Sequence, residues 1–154
     1  MTISRKIILF SATAGFVGNI PVAPGTFGSL VALPICCLLA QIPTMPAVLL
    51  IGLFTAVSVG IAGEAEKWLQ TRDPGCIVID EIAGQMVTLV GLPLNGTVFI
   101  SGFLVFRCLD IVKPFPINWL EKRLSGGLGI VADDILAGLI GNILIRCALF
   151  FWPL

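Results

Sequence analysis

No residue between Ile7 and Gly63 carries a charge, and none between Ile82 and Phe106 does either. Each run exceeds the roughly 20 apolar residues that cross a bilayer's hydrocarbon core, where backbone polar groups must be satisfied within helices or closed barrels. Composition agrees. Of 154 residues, 57% are hydrophobic and only 12% charged, against about 25% charged in ordinary soluble domains. Mean hydropathy is +1.06. A membrane is therefore the expected solvent, and the length suits one domain, residues 1–154.

Several function classes drop out at once. Nine basic residues balance nine acidic ones, so the excess positive charge of a nucleic-acid footprint is missing. The chain has no histidine, which removes a His nucleophile, a Ser-His pair and His-bound zinc. Its five cysteines, Cys36, Cys37, Cys76, Cys108 and Cys147, form no C-x-x-C pair and are odd in number. They read as reduced, mostly buried small apolar residues. Arg5-Lys6 followed by Ile7 to Phe10 and Ala12-Thr13-Ala14 mimics a secretory signal. The apolar region is shorter than the usual 7–15 residues, about, so the segment is expected to stay in the mature chain.

Proline, glycine and charge punctuate the apolar sequence into about five helices, an all-α polytopic bundle built from two hairpins plus N- and C-terminal helices. The first helix is expected over Ile7 to Val17. One hairpin pairs Phe27 to Gln41 with Ala47 to Leu69, and the other pairs Ile77 to Val90 with Thr97 to Val112. A loop then leads to a last helix over Ala132 to Trp152. The hairpin tips, residues 42–46 and 92–96, carry no charge, and every basic residue except Arg146 falls on the opposite side. Lys and Arg prefer cytoplasmic flanks, so that side is expected to face the cytoplasm.

Five carboxylates lie at the ends of apolar helices: Asp80, Glu81, Asp110, Asp133 and Asp134. Near lipid such groups are costly unless they pair, face a cavity or bind metal. Glu81, Gln85 and Thr88 share one helix face, as do Asp134, Gly138, Gly141 and Asn142, the glycines allowing close approach of a neighbour. Arg107, Asp110 and Lys113 recur at steps of three, so acid and base can face one site. Helix caps and interfacial ion pairs are the plainer reading of each residue singly. Gathered at one depth, the five fit a hard cation, and oxygen ligands without His or Cys fit Mg²⁺. Pro24-Gly25-Thr26-Phe27-Gly28-Ser29 is a glycine-rich turn opening a helix. It reads either as a simple N-capped turn or as an anion site whose hydroxyls, Thr26 and Ser29, hold phosphate. Lys122 and Arg123 read as contacts to anionic headgroups. No Cys precedes an Arg by six positions and no Asp-x-Asp occurs. With the cysteine, Asp-x-Asp and phosphohistidine phosphatase chemistries excluded, metal-assisted hydrolysis survives, by a metal-activated water or through an Asp-phosphate intermediate.

Four ordered segments resemble the bacterial phosphatidylglycerophosphatase A family. Pro24 to Ser29 is similar to PGTxGS, and Ile77 to Gly84 to IVxDExxG. Phe106 to Ile117 is similar to FRxxDxxKPxPI, and Gly126 to Gly138 to GGxGIxxDDxxAG. The resemblance implies Mg²⁺-dependent hydrolysis of phosphatidylglycerophosphate to phosphatidylglycerol and phosphate, at the cytoplasmic face of the bacterial inner membrane.

The expectation is therefore a membrane phosphatase in which Asp80, Glu81, Asp110, Asp133 and Asp134 supply metal ligands and one general base. Arg107 and Lys113 hold the phosphate, with Thr26 and Ser29 as further candidates. Counting charges favours two cations over one, unless one carboxylate is protonated and acts as general acid. The rival is a small ion or proton transporter using the same carboxylates as a relay, which would spread them through the bilayer depth. They collect instead at one interface.

Overall fold

The computed structural model describes residues 3–93 and 95–152, and among these every regular element is helical. Seven α-helices stand where the sequence suggested about five: α1 (Ile3–Ala12), α2 (Pro24–Leu39), α3 (Thr44–Leu69), α4 (Ile79–Leu89), α5 (Gly96–Val112), α6 (Ile117–Arg123) and α7 (Gly126–Phe151). A short 3-10 turn, Val17–Asn19, separates α1 from α2.

The boundaries that moved have local causes. Ala14, Gly15 and Phe16 adopt positive φ, so α1 stops at Ala12 instead of running to Val17. Ile77 and Val78 precede α4 in irregular backbone, and the Val78 N–H donates to the Ala12 carbonyl at 2.9 Å. The stretch after Lys113 was expected to be loop, yet it folds as α6. Helix α7 begins at Gly126, well before Ala132. Its early glycines are poor helix formers, but Gly127 lies directly on the Val59 carbonyl and Gly63 of α3, where a side chain would not fit. Tertiary packing overrides propensity there. Pro24 opens α2 at the position where a missing N–H costs nothing. Asn95 caps α5 by accepting from the Val98 N–H at 2.9 Å; its neighbour Leu94, in the expected second tip, lies outside the described residues.

Helix α4 is the centre of the molecule, packed by α2, α3, α5 and α7. All its residues except Glu81 are buried. Its 11 residues extend only about 17 Å at 1.5 Å each, shorter than the stretch read from the sequence. The second expected hairpin, α4 with α5, does pack together. The first is opened: α2 packs on α4 and α5, whereas α3 packs on α7, α4 and α1. These two helices share a tip but clasp α4 between them.

Helices α3 and α7, 26 residues each, are long and apolar enough to cross a membrane. They present Leu49, Leu53 and Val57 on α3 and Leu139, Ile143 and Leu144 on α7 outward, an apolar exterior suited to lipid. Helices α4 and α7 run in the same direction: Asp134 and Gly138 lie beside Gly84, and Gly141 beside Thr88.

Candidate active site

The site forms where four helix ends converge. Asp80 and Glu81 occupy the first turn of α4, Asp133 and Asp134 follow in the second and third turns of α7, Arg107 and Asp110 close α5, and Lys113 caps α5 in a left-handed conformation. The first turn of α2 completes the ring. Parallel packing of α4 on α7 makes the convergence possible, because Gly84 and Gly138 let the backbones touch one turn inside the carboxylates.

The five carboxylates divide by their partners. Asp80, Glu81 and Asp134 each place an oxygen within 4.8 Å of the others. Asp110 instead accepts from Arg107 Nη1 at 2.5 Å, and Asp133 accepts from Lys113 Nζ at 2.6 Å. Lys113 also donates to Glu121 Oε1 on α6 at 3.0 Å. Burial alone would lower the Lys113 amine, but its hydrogen bonds to Asp133 and Glu121 outweigh that and raise it above its ordinary value. All five carboxylates and Lys113 line one cavity of about 110 Å³.

The buried oxygens test whether a cation fits. Asp80 Oδ1, Glu81 Oε2, Asp133 Oδ1 and Asp134 Oδ2 are shielded from solvent and have no hydrogen-bond partner among the described residues. Carboxylate oxygens left so are strongly unfavourable unless a cation compensates them. Oxygen-only donors facing one another fit a hard divalent ion. The acidic cluster can hold a metal.

On the α2 side, Gly25 approaches so closely that a Cβ would run into Glu81 Oε1 and stand 3.1 Å from both Arg107 Nη atoms. A side chain there would displace the Glu81 carboxylate from this position. Ser29 is fully buried; its hydroxyl donates to the Gly25 carbonyl at 2.9 Å and accepts from Arg107 Nη1 at 3.5 Å. It thus steadies Arg107. The Thr26 hydroxyl makes no hydrogen bond among the described residues, and Thr26 sits half-buried in the first turn of α2.

Two acidic residues that the sequence reading did not select also join the site. Asp73, in the loop after α3, lines the cavity. Glu121 shares the Lys113 ammonium. Asp73 stands in an Asp-Pro-Gly turn close before the Asp80-Glu81 pair, a usable signal. Glu121 gave none, since it sits on a helix taken for loop.

The phosphatidylglycerophosphatase A family model matches residues 10–149. The chain belongs to that family. Phosphatidylglycerophosphatase A of Escherichia coli K12 is 38% identical over 138 residues, covering 89% of this chain and 80% of that protein. Phosphatidylglycerophosphatase A of Haemophilus influenzae Rd is 32% identical over 142 residues, with 89% and 85% covered. A Bacteroides thetaiotaomicron relative with the provisional name phosphatidylinositol-3-phosphatase is 36% identical over 140 residues, with 85% and 86% covered. No solved structure matches. Membership places the chain among phosphoric monoester hydrolases and leaves the transporter alternative unsupported.

Proposed function

We propose that the chain hydrolyses the terminal phosphomonoester of phosphatidylglycerophosphate, with Mg²⁺, to phosphatidylglycerol and inorganic phosphate. The observation that carries this reading is the Asp80–Glu81–Asp134 cluster, its oxygens within 4.8 Å and partly unpartnered, beside two half-buried cationic side chains, Arg107 and Lys113. A metal-assisted phosphatase site uses both features, one to hold the cation and the other to hold the phosphate dianion.

Asp80, Glu81 and Asp134 hold the metal. When bound, Mg²⁺ supplies Lewis-acid polarisation of a phosphoryl oxygen and neutralises developing charge. Arg107 and Lys113 orient the phosphate, steadied in turn by Asp110 with Ser29 and by Asp133 with Glu121. Thr26, at the α2 N-terminus, offers a hydroxyl at the rim of the same phosphate position. Asp133 is assigned as general base: Lys113 anchors its Oδ2, which leaves Oδ1 free for the proton of the attacking water. The water oxygen bonds to phosphorus as the ester P–O bond breaks, and the leaving glycerol oxygen takes a proton from solvent.

The protein is multi-pass in a bacterial inner membrane, folded as one domain, with the site at the cytoplasmic interface. The charge-free tips and the basic residues gathered around the carboxylate end support this orientation.

Purified full-length protein in detergent should release phosphate from phosphatidylglycerophosphate, lose that activity in EDTA and regain it with Mg²⁺. Undiminished turnover after thorough chelation would sink the metal assignment. Phosphatidylinositol 3-phosphate in a parallel arm decides the substrate, and faster turnover there would move the chain toward its Bacteroides relative. A transporter would release nothing, since transport needs a sealed membrane.

A further inference from the structure

Away from the carboxylates, the structure concentrates an unusual number of side-chain hydrogen bonds at the far end of α4. The Asn142 Nδ2 group donates to the carbonyls of Val87, Thr88 and Val90, at 3.3, 2.9 and 3.0 Å. Arg146, one turn further along α7, donates from Nη2 to Val90 and Gly91, at 3.2 and 3.0 Å. Its Nε donates to Asn142 Oδ1 at 2.7 Å, locking the pair. These carbonyls lie in or just beyond the last turn of α4, where a helix leaves carbonyls without intrahelical partners. Near lipid, each would otherwise remain costly.

We propose that Asn142 and Arg146 form a register clamp that positions the metal-binding carboxylates from the opposite end of α4. Asn142 is a positioning residue, and Arg146 holds it. The inference rests on the metal reading above. Its logic is geometric. Asp134 faces Asp80 and Glu81, Gly138 faces Gly84, Gly141 faces Thr88, and Asn142 holds Val87 to Val90. The two parallel helices therefore keep one register along the whole contact. The glycines bring the two backbones close without a side-chain hydrogen bond between the helices, whereas the clamp's hydrogen bonds fit one register only. A slip of one turn is about 5.4 Å, more than the 4.8 Å within which the three carboxylate oxygens gather. The clamp also explains why Arg146 alone among the basic residues lies toward the tips: it serves helix carbonyls and not an orienting flank.

The test is Mn²⁺ binding, followed by electron paramagnetic resonance on the folded, detergent-solubilised chain and scaled to folded protein. Asn142→Leu is expected to weaken Mn²⁺ affinity about 10- to 100-fold, the range seen when supports of metal ligands are removed. The Mg²⁺ concentration for half-maximal turnover should rise in step, while turnover at saturating Mg²⁺ changes less. Arg146→Gln should weaken Mn²⁺ binding several-fold, and Arg146→Lys, which can still donate to Val90 and Gly91, should restore most of it. If Asn142→Leu fails to insert, the Arg146 pair and Asn142→Ser carry the same reading. Unchanged Mn²⁺ affinity in every folded variant overturns the clamp. Failure of the parent chain to bind Mn²⁺ overturns the metal reading itself.

Discussion

Gly84 and Gly138 meet backbone to backbone: a Cβ on Gly84 would stand 2.7 Å from the Asp134 carbonyl oxygen, and one on Gly138 would run into the carbonyl of Gly84. This contact brings the carboxylates of α4 and α7 into one site. A methyl group at either glycine forces the helices apart where packing is tightest. Gly138→Ala should destabilise the fold by about 1–3 kcal/mol, the usual range for overpacking, and should depress phosphate release beyond what the unfolded fraction explains. Gly60→Ala is the control, because a Cβ there meets nothing within 4 Å. Thermal unfolding in detergent, run beside the activity assay, checks both. Equal behaviour of the two variants would remove Gly138 from the account of the site.

The Lys113–Asp133 pair invites a double-mutant cycle, because the Lys113 side chain is 24% exposed and that of Asp133 only 5%. Lys113→Met strands a buried carboxylate, and breaking a buried pair costs about 3–5 kcal/mol. Lys113→Met combined with Asp133→Asn should regain much of that stability and none of the activity, since charge and base are both gone. The pH dependence has a definite sign. The folded Lys113 amine lies above its ordinary value, so its stabilising contribution is fully present below the usual lysine pKa of about 10.4 and fades only as pH rises beyond it. Unfolding midpoints from pH 6 to 9 should therefore show no alkaline loss assignable to this pair. Such a loss that vanishes in Lys113→Met would contradict the assignment.

Much of the candidate site's layout was legible in the sequence because its parts are local. Asp80 and Glu81 head one apolar helix, Asp133 and Asp134 enter another, and Arg107, Asp110 and Lys113 step along a third. Charge is so scarce here that each such residue stood out. What stayed hidden depends on contacts between distant segments. Periodicity cannot say that α2 and α3 part to admit α4. It cannot say that Lys113 splits its ammonium between Asp133 and Glu121, or that Asp110 turns to Arg107 while Asp134 turns to Asp80 and Glu81. The start of α7 was missed for the same reason: glycines at 126, 127 and 129 read as loop, and only the close approach of Gly127 to α3 makes them helix.

The orientation can be checked independently of chemistry. A reporter fused after Asn95 should behave as periplasmic, and one fused after Ser125 as cytoplasmic, because the tip between α4 and α5 is uncharged whereas Lys113, Lys122 and Arg123 surround the other end. The reverse pattern would overturn the cytoplasmic address proposed for the carboxylate site.

The sharpest separation of chemistry from folding is at Asp134. It is buried, belongs to the acidic cluster that can hold a metal, and leaves Oδ2 without a partner among the described residues. Asp134→Asn preserves shape and hydrogen-bonding capacity but removes one ligand charge. A residue that merely capped or packed would tolerate the change, whereas a ligand for a hard cation would not. Insertion and melting should stay close to those of the parent, with phosphate release reduced at least about a hundredfold, the upper end of losses typical when metal sites are weakened. Lys122→Ala is the matched control: the residue is exposed on α6, and a contact to anionic headgroups is worth only about 1 kcal/mol. If Asp134→Asn kept nearly full activity at limiting Mg²⁺ while Lys122→Ala abolished it, the site would have to be redrawn around α6 and its flanking loops.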